Sequence, residues 1–205
     1  MSAPTATDWD SIITPFYQQG WVWLPTFLPE PLTSALLEDL QQQPLRAAGV
    51  GRQAAHLQDQ QIRRDHTAWL DGSTPAQQQY LALMQQLQQV FNQRCLLGLF
   101  DFECHYARYQ SGDFYQKHLD AFQGRSNRVL TTVTYLNSVT EGGALALYDE
   151  QDQLIRQFQP AAGGLIVFES ERFPHEVLPA RSPRFSIAGW FRRNNSLNGL
   201  IDPSR

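Results

Sequence analysis

His118 and Asp120 are separated by one residue in the string YQKHLD, and a second imidazole, His175, follows in FPHEV. In a β-strand, residues two apart point to the same face, so an imidazole and a carboxylate at this spacing can converge on one point. With a distant imidazole they compose the two-histidine, one-carboxylate triad of non-haem Fe(II) oxygenases. Such a triad leaves three neighbouring positions on an octahedral ion, enough for a bidentate 2-oxo acid and dioxygen. Alone, a His-x-Asp pair arises by chance in many chains, and a solitary histidine serves more often in packing than in ligation. Arg184 shifts that balance. It follows His175 by nine residues at the head of RFSIAGWF, and an arginine buried in a strand is costly unless it meets a carboxylate. Its planar fork suits bidentate pairing with the distal carboxylate of 2-oxoglutarate.

These residues need a scaffold, and its outline follows from periodicity. After residue 100 come eight short β-rich runs: FECHYARY, FYQKHLD, RVLTTVTYLN, ALALYD, LIRQFQP, GLIVFES, HEVLPA and RFSIAGWF. Turn-forming strings such as QSGD, NSVTEGG, DEQD, PAAGG and PARSP separate them. The first half reads as helical instead. Ile12, Ile13, Phe16 and Tyr17 recur at helical spacing behind an Asp8 or Asp10 cap, and Gly20 stops them. WVWLPTFLP is short, aromatic and extended. A second helix from about Pro29 to Pro31 turns Leu32, Leu36, Leu37 and Leu40 inward and ends at Pro44. Residues 45 to 65 hold a long loop or irregular hairpin. A third helix from Pro75 to Arg94 presents Tyr80, Leu83, Met84, Leu87, Val90 and Phe91 on one face. The expected fold is mainly β: one domain over 1–205, with a double-stranded β-helix (jelly-roll) core at about 100–193. About three helices at 8–95 support the core from outside, and a tail follows at 194–205.

Composition removes several functions. The 205 residues carry a net charge of −4, which disfavours a phosphate-reading surface and so a nucleic-acid partner. Fifteen arginines stand against one lysine, Lys117, so no GxxxxGK phosphate loop exists, and Schiff-base chemistry would rest on Lys117 alone. Lys117 neighbours His118, and in a strand it should face away from any pocket. Cys95 and Cys104 form no disulfide framework and no CxxC, and both read as buried reduced thiols. The expectation is a cytoplasmic protein with no signal peptide and no membrane span. The glutamine runs at 41–43, 77–79 and 85–89 alternate with leucine and read as solvated helix faces.

The strings IRRD and WLDG at 62–72, YQSGDFYQKHLD at 109–120, RVLTTVTYLN at 128–137, EGGALALY at 141–148 and PHEVLPARSPRFSIAGWF at 174–191 together resemble one family. They are similar to the 2-oxoglutarate- and Fe(II)-dependent prolyl 4-hydroxylases, in particular to the type that hydroxylates hypoxia-inducible factor in animals. The pattern HEV-x-PA-x(3)-R-(F/Y)-x-I-x(2)-W is the most specific part. The resemblance implies His118, Asp120 and His175 as iron ligands and Arg184 as the anchor of 2-oxoglutarate, the four forming the catalytic set. It implies Tyr135 joining Arg184 at that carboxylate and Tyr109 near the co-substrate. Tyr115, Arg128, Trp190 and Trp69 would line the target-proline pocket, although each aromatic also reads as an ordinary core or sheet residue. Ala188 stands where the animal oxygen sensors carry threonine, and the segment before His118 is one residue shorter.

The implied reaction couples oxidation of 2-oxoglutarate by O2, giving succinate and CO2, to hydroxylation of a prolyl residue in a protein, with ascorbate as a reductant. Elongation factor Tu is a candidate partner by resemblance. Two other readings remain open: a 2-oxoglutarate oxygenase acting on a small molecule, and a jelly roll that senses by holding metal without turnover. The ligand set accepts manganese as well as iron. Arg63 and Arg64 could grip a protein substrate or form a solvated basic pair. His56, His66 and His105 read as structural.

Overall fold

A computed structural model describes residues 9–49, 61–121, 127–193, 196–197 and 200–201. In chain order the elements are α1 (Asp10–Gln19), β1 (Trp21–Leu24), α2 (Glu30–Gln42), β2 (Arg46–Ala47), β3 (His66–Trp69), α3 (Pro75–Cys95), β4 (Leu99–Tyr109), β5 (Tyr115–His118), β6 (Arg128–Tyr135), β7 (Leu145–Tyr148), β8 (Leu154–Phe158), β9 (Leu165–Glu169), β10 (His175–Val177) and β11 (Arg184–Arg193). A small hairpin, β12 (Ser196–Leu197) and β13 (Leu200–Ile201), follows in the tail. All eight predicted strands and all three predicted helices are present. β2 pairs antiparallel with β3; residues 50–60, with His56 and most of the long loop or irregular hairpin expected at 45–65, lie outside the described residues.

Two antiparallel sheets face each other, one with order β1-β9-β6-β11-β4-β3-β2 and one with order β5-β10-β7-β8. Period-two alternation divides the large sheet between two cores. Leu130, Leu165, Val167, Ile187, Phe191 and Tyr106 point outward and meet Ile12, Phe16, Leu36, Leu40, Tyr80, Met84 and Phe91 of the helices. Val133, Tyr135, Ile166, Phe168, Ala107 and Tyr109 point inward and meet Leu145, Leu147, Phe158 and Val177 of the small sheet. Strands β6 and β9 are thus covered on both faces, which is why they read as nearly unbroken apolar or threonine-rich runs. The candidate site residues of the large sheet, among them Tyr109, Tyr135, Arg184 and Trp190, belong to the inner face.

Local chemistry sets the helix ends. Gly20 adopts φ 80° and its N–H reaches the carbonyl of Phe16 at 2.7 Å, closing α1. Pro75 opens α3 behind Thr74, whose hydroxyl accepts from the Gln77 N–H at 3.3 Å. The aspartate cap expected on α1 is absent: Trp9 holds the cap position, Asp10 is the first helical residue, and Asp8 lies outside the described residues. Tyr17, expected on the apolar face, is 79% exposed, while Leu32, Leu37, Leu83 and Val90 are only partly buried. No helix among the described residues is long and apolar enough to cross a membrane. Cys95 and Cys104 are both unpaired, as expected, but only Cys104 is buried; Cys95 is partly exposed.

Candidate active site

β5 and β10 pair so that His118 and His175 are direct cross-strand partners, with ring centroids 4.4 Å apart. Asp120 completes the group by a different route from the one predicted. The strand ends at His118, and Asp120 sits in a bend two residues on, which turns its carboxylate back toward the pair. His118 Nε2 lies 3.6 Å from Asp120 Oδ1, and His175 Nε2 lies 3.4 Å from Oδ2. Ligand-type atoms of all three residues fall within 4.8 Å of one another, so the trio could hold a metal ion. Both rings are oriented from behind. Nδ1 of His118 faces the Gln116 carbonyl at 2.8 Å, and Nδ1 of His175 faces that of Phe173 at 3.1 Å. A carbonyl only accepts, so each Nδ1 carries the hydrogen and each Nε2 keeps its lone pair for the centre.

Electrostatics keep the carboxylate ionised. Burial alone would raise the Asp120 carboxyl, but His175 and His118 outweigh it and hold the group well below the usual carboxylate range. Burial and the neighbouring His175 lower His118, against the opposing pull of Asp120. The donor set is one carboxylate and two imidazole Nε2 atoms turned toward it. Tyr115 stacks on His118 at 3.7 Å with the rings 18° from parallel, and the Arg63 guanidinium lies 4.3 Å from the Tyr115 ring centroid. Arg63 is itself a bidentate partner of the fully buried Asp65, at 2.7 and 2.6 Å. It is a partly buried brace for Tyr115 rather than half of a solvated basic pair; Arg64 is exposed, its guanidinium over the Phe114 ring.

Arg184 opens β11 and is 1% exposed. Its guanidinium carbon lies 4.7 Å from the Tyr109 ring centroid and 5.1 Å from that of Tyr135. One terminal nitrogen donates to Ser186 Oγ at 3.0 Å, Nε has no partner, and no carboxylate among the described residues pairs with it. Gly143, from the EGGALALY string, makes the room: a Cβ there would stand 3.1 Å from Arg184 Cδ. A buried cation without a counter-charge is a costly arrangement that a bound anion relieves. The inner wall therefore fits a carboxylate. The Tyr135 hydroxyl donates to the Phe158 carbonyl at 3.2 Å, so its hydrogen is committed inside the protein. Burial raises both the Tyr109 and Tyr135 phenols, so both are neutral donors.

Toward the other end of the same inner face stand Trp190, Arg128 and Trp69. Arg128 lies 3.6 Å from the Trp190 ring centroid and bonds Glu103 Oε1 at 3.0 Å. Trp69 is 40% exposed and 6.4 Å from Trp190. Between them sits His105, edge-on to Trp69 at 5.2 Å and tilted against Trp190 at 5.4 Å. Burial, then the charge of Arg63, push this imidazole down to about 4 against the opposing pull of Asp65. Sequence spacing gave no sign of His105, Glu103 or Asp65, although the strict alternation of FECHYARY would have placed Glu103, His105, Ala107 and Tyr109 on one face.

The fold is a jelly roll in which His118, Asp120 and His175 could hold a metal ion, with the buried Arg184 in the same interior. Residues 104–192 match the model of the 2OG-Fe(II) oxygenase superfamily. A crystal structure of a Pseudomonas putida prolyl-4-hydroxylase is 37% identical, with a TM-score of 0.81 over 90% of this chain and 98% of that one. A Trichoplax adhaerens prolyl hydroxylase, solved with a hypoxia-inducible factor peptide fragment, is 27% identical, with a TM-score of 0.77 over 89% and 88%. The hypoxia-inducible factor prolyl hydroxylase of Caenorhabditis elegans is 26% identical over 89% of this chain, which spans only 28% of that protein's length. This chain belongs to the 2OG-Fe(II) oxygenase superfamily and is a dioxygenase of the prolyl hydroxylase type.

Proposed function

We propose that the chain hydroxylates a prolyl residue of a protein substrate, using Fe(II) held by His118, Asp120 and His175 and 2-oxoglutarate anchored by Arg184. The observation that carries this reading is the uncompensated Arg184 buried in the same interior as the triad. When bound, iron and 2-oxoglutarate supply the oxidising chemistry, with O2 as oxidant and succinate and CO2 as co-products. The chain's own residues supply position and dryness. Arg184 takes the distal carboxylate of 2-oxoglutarate through its fork, with Tyr109 and Tyr135 walling the pocket. Tyr115, pinned between Arg63 and His118, and Trp190, backed by Arg128, form two rigid walls for a proline ring. Trp69 continues the wall to the surface, which suits a polypeptide segment better than a free amino acid.

Similarity to the Trichoplax enzyme and its peptide complex supports a polypeptide substrate, as does similarity to the Pseudomonas enzyme. Elongation factor Tu is the first protein to assay, on resemblance alone. The unpaired cysteines fit a reducing, cytoplasmic setting. The test is succinate release from 2-oxoglutarate with Fe(II), O2 and ascorbate. The wild-type chain should produce it and Asp120→Ala should not. Full activity in Asp120→Ala would exclude the assignment.

A further inference from the structure

Asp120 has a third neighbour besides the two imidazoles. Thr131 Oγ1 donates to Asp120 Oδ2 at 2.8 Å, and Thr131 Oγ1 and Ser170 Oγ are 2.9 Å apart. A hydroxyl has one hydrogen and a carboxylate can only accept, so Thr131 spends its hydrogen on Asp120 and Ser170 must donate to Thr131. The relay is directional: Ser170 to Thr131 to Asp120. Both hydroxyl residues are buried, at 0% and 1% exposure. Thr131 sits in β6 between Trp190 of β11 and Phe168 of β9, and the Ser170 N–H donates to the Val129 carbonyl at 2.9 Å. The backbone of three paired strands therefore fixes the relay, and the β-branch of threonine restricts its rotamer.

The geometry points to Thr131 and Ser170 as positioning residues that keep the Asp120 carboxylate a one-oxygen ligand. With one lone pair of Oδ2 taken by the relay, ligation through Oδ1 alone is favoured. An octahedral ion bound by two imidazoles and one oxygen keeps three positions, the number that 2-oxoglutarate and O2 together require; a carboxylate chelating through both oxygens would take one of them. This inference rests on the metal-site reading above.

The test is anaerobic titration of chelator-treated protein with Mn(II), followed by 2-oxoglutarate binding to the loaded protein, with circular dichroism as a check on folding. Wild type should bind one Mn(II). Thr131→Val should weaken Mn(II) about 10-fold or more and lower 2-oxoglutarate affinity further, in line with other residues that orient metal ligands. Thr131→Ser, which restores the hydroxyl, should lie within about twofold of wild type, and Ser170→Ala should fall between the two. Failure of wild type to bind Mn(II) would remove the metal-site reading itself. Binding by wild type with equal affinity in folded Thr131→Val would overturn the relay alone. If Thr131→Val does not fold, unchanged affinity in folded Ser170→Ala does the same.

Discussion

Arg184 is stabilised by two aromatic faces and by the hydroxyls of Ser186 and Tyr135, with no carboxylate among the described residues paired with it. On the proposed role of Arg184, that state weakens the empty protein and strengthens the loaded one. Arg184→Met should leave the ligand-free protein as stable as wild type or stabilise it, by up to about 1–4 kcal/mol, because an uncompensated buried charge is removed. The same variant should raise the KM for 2-oxoglutarate at least about 30-fold, through loss of a charge-assisted bidentate pair. Thermal denaturation and steady-state kinetics read the two effects, and strong destabilisation of the empty variant would mean that Arg184 has a structural partner instead. His105 makes a second residue-scale prediction. Its folded-state value of about 4 lies below the ordinary 6.5, so the unfolded chain takes up a proton first as pH falls. The stabilisation is complete above pH 6.5 and is lost as pH drops from 6.5 through 4. Over that window wild type should lose on the order of 3 kcal/mol more than His105→Gln, measured by denaturant unfolding. Parallel curves would show that the imidazole titrates freely.

At the scale of elements, α2, α3 and β4 are joined through one buried carboxylate. Asp39 of α2 accepts from Tyr106 Oη of β4 at 2.6 Å and from Gln77 Nε2 of α3 at 2.8 Å. Asp39→Leu should strand both donors and cost about 2–4 kcal/mol, a Tm lower by about 5–10 °C, with the KM for 2-oxoglutarate unchanged. A shifted KM would mean that the helical layer reaches the site. The same contrast between local and long-range contacts explains what could be read from the chain. Strands and helices were legible because alternation and 3.6-residue spacing are local, and β9, LIVFE, announces burial on both faces by itself. Arg184 was legible because a lone arginine heading an apolar strand conflicts with its surroundings. Asp120 was found by spacing that does not operate, since its strand stops at His118 and a bend delivers the carboxylate. Thr131, Ser170 and Glu103 were invisible because their partners lie 11 to 39 residues away in the chain. No spacing encodes such contacts; the sheet order β9-β6-β11-β4 creates them.

For the whole molecule, the two sheets close on an interior with a cationic end at Arg184, the triad, and an aromatic wall running out to Trp69. Ligands that join the two sheets should stabilise all of it. Mn(II) with 2-oxoglutarate at about 100 times Kd should add about 2.7 kcal/mol and raise Tm by about 5–10 °C, and chelation should reverse the gain. A shift retained in His175→Ala would place the metal elsewhere. The central claim is transfer of one oxygen atom from O2 to a proline of a protein. The direct measurement is mass spectrometry of a bacterial lysate treated with the reconstituted enzyme, 2-oxoglutarate and isotopically heavy dioxygen. The account predicts heavy oxygen on defined prolyl residues, absent when Asp120→Ala replaces wild type. Succinate release without any labelled proline in protein would contradict it.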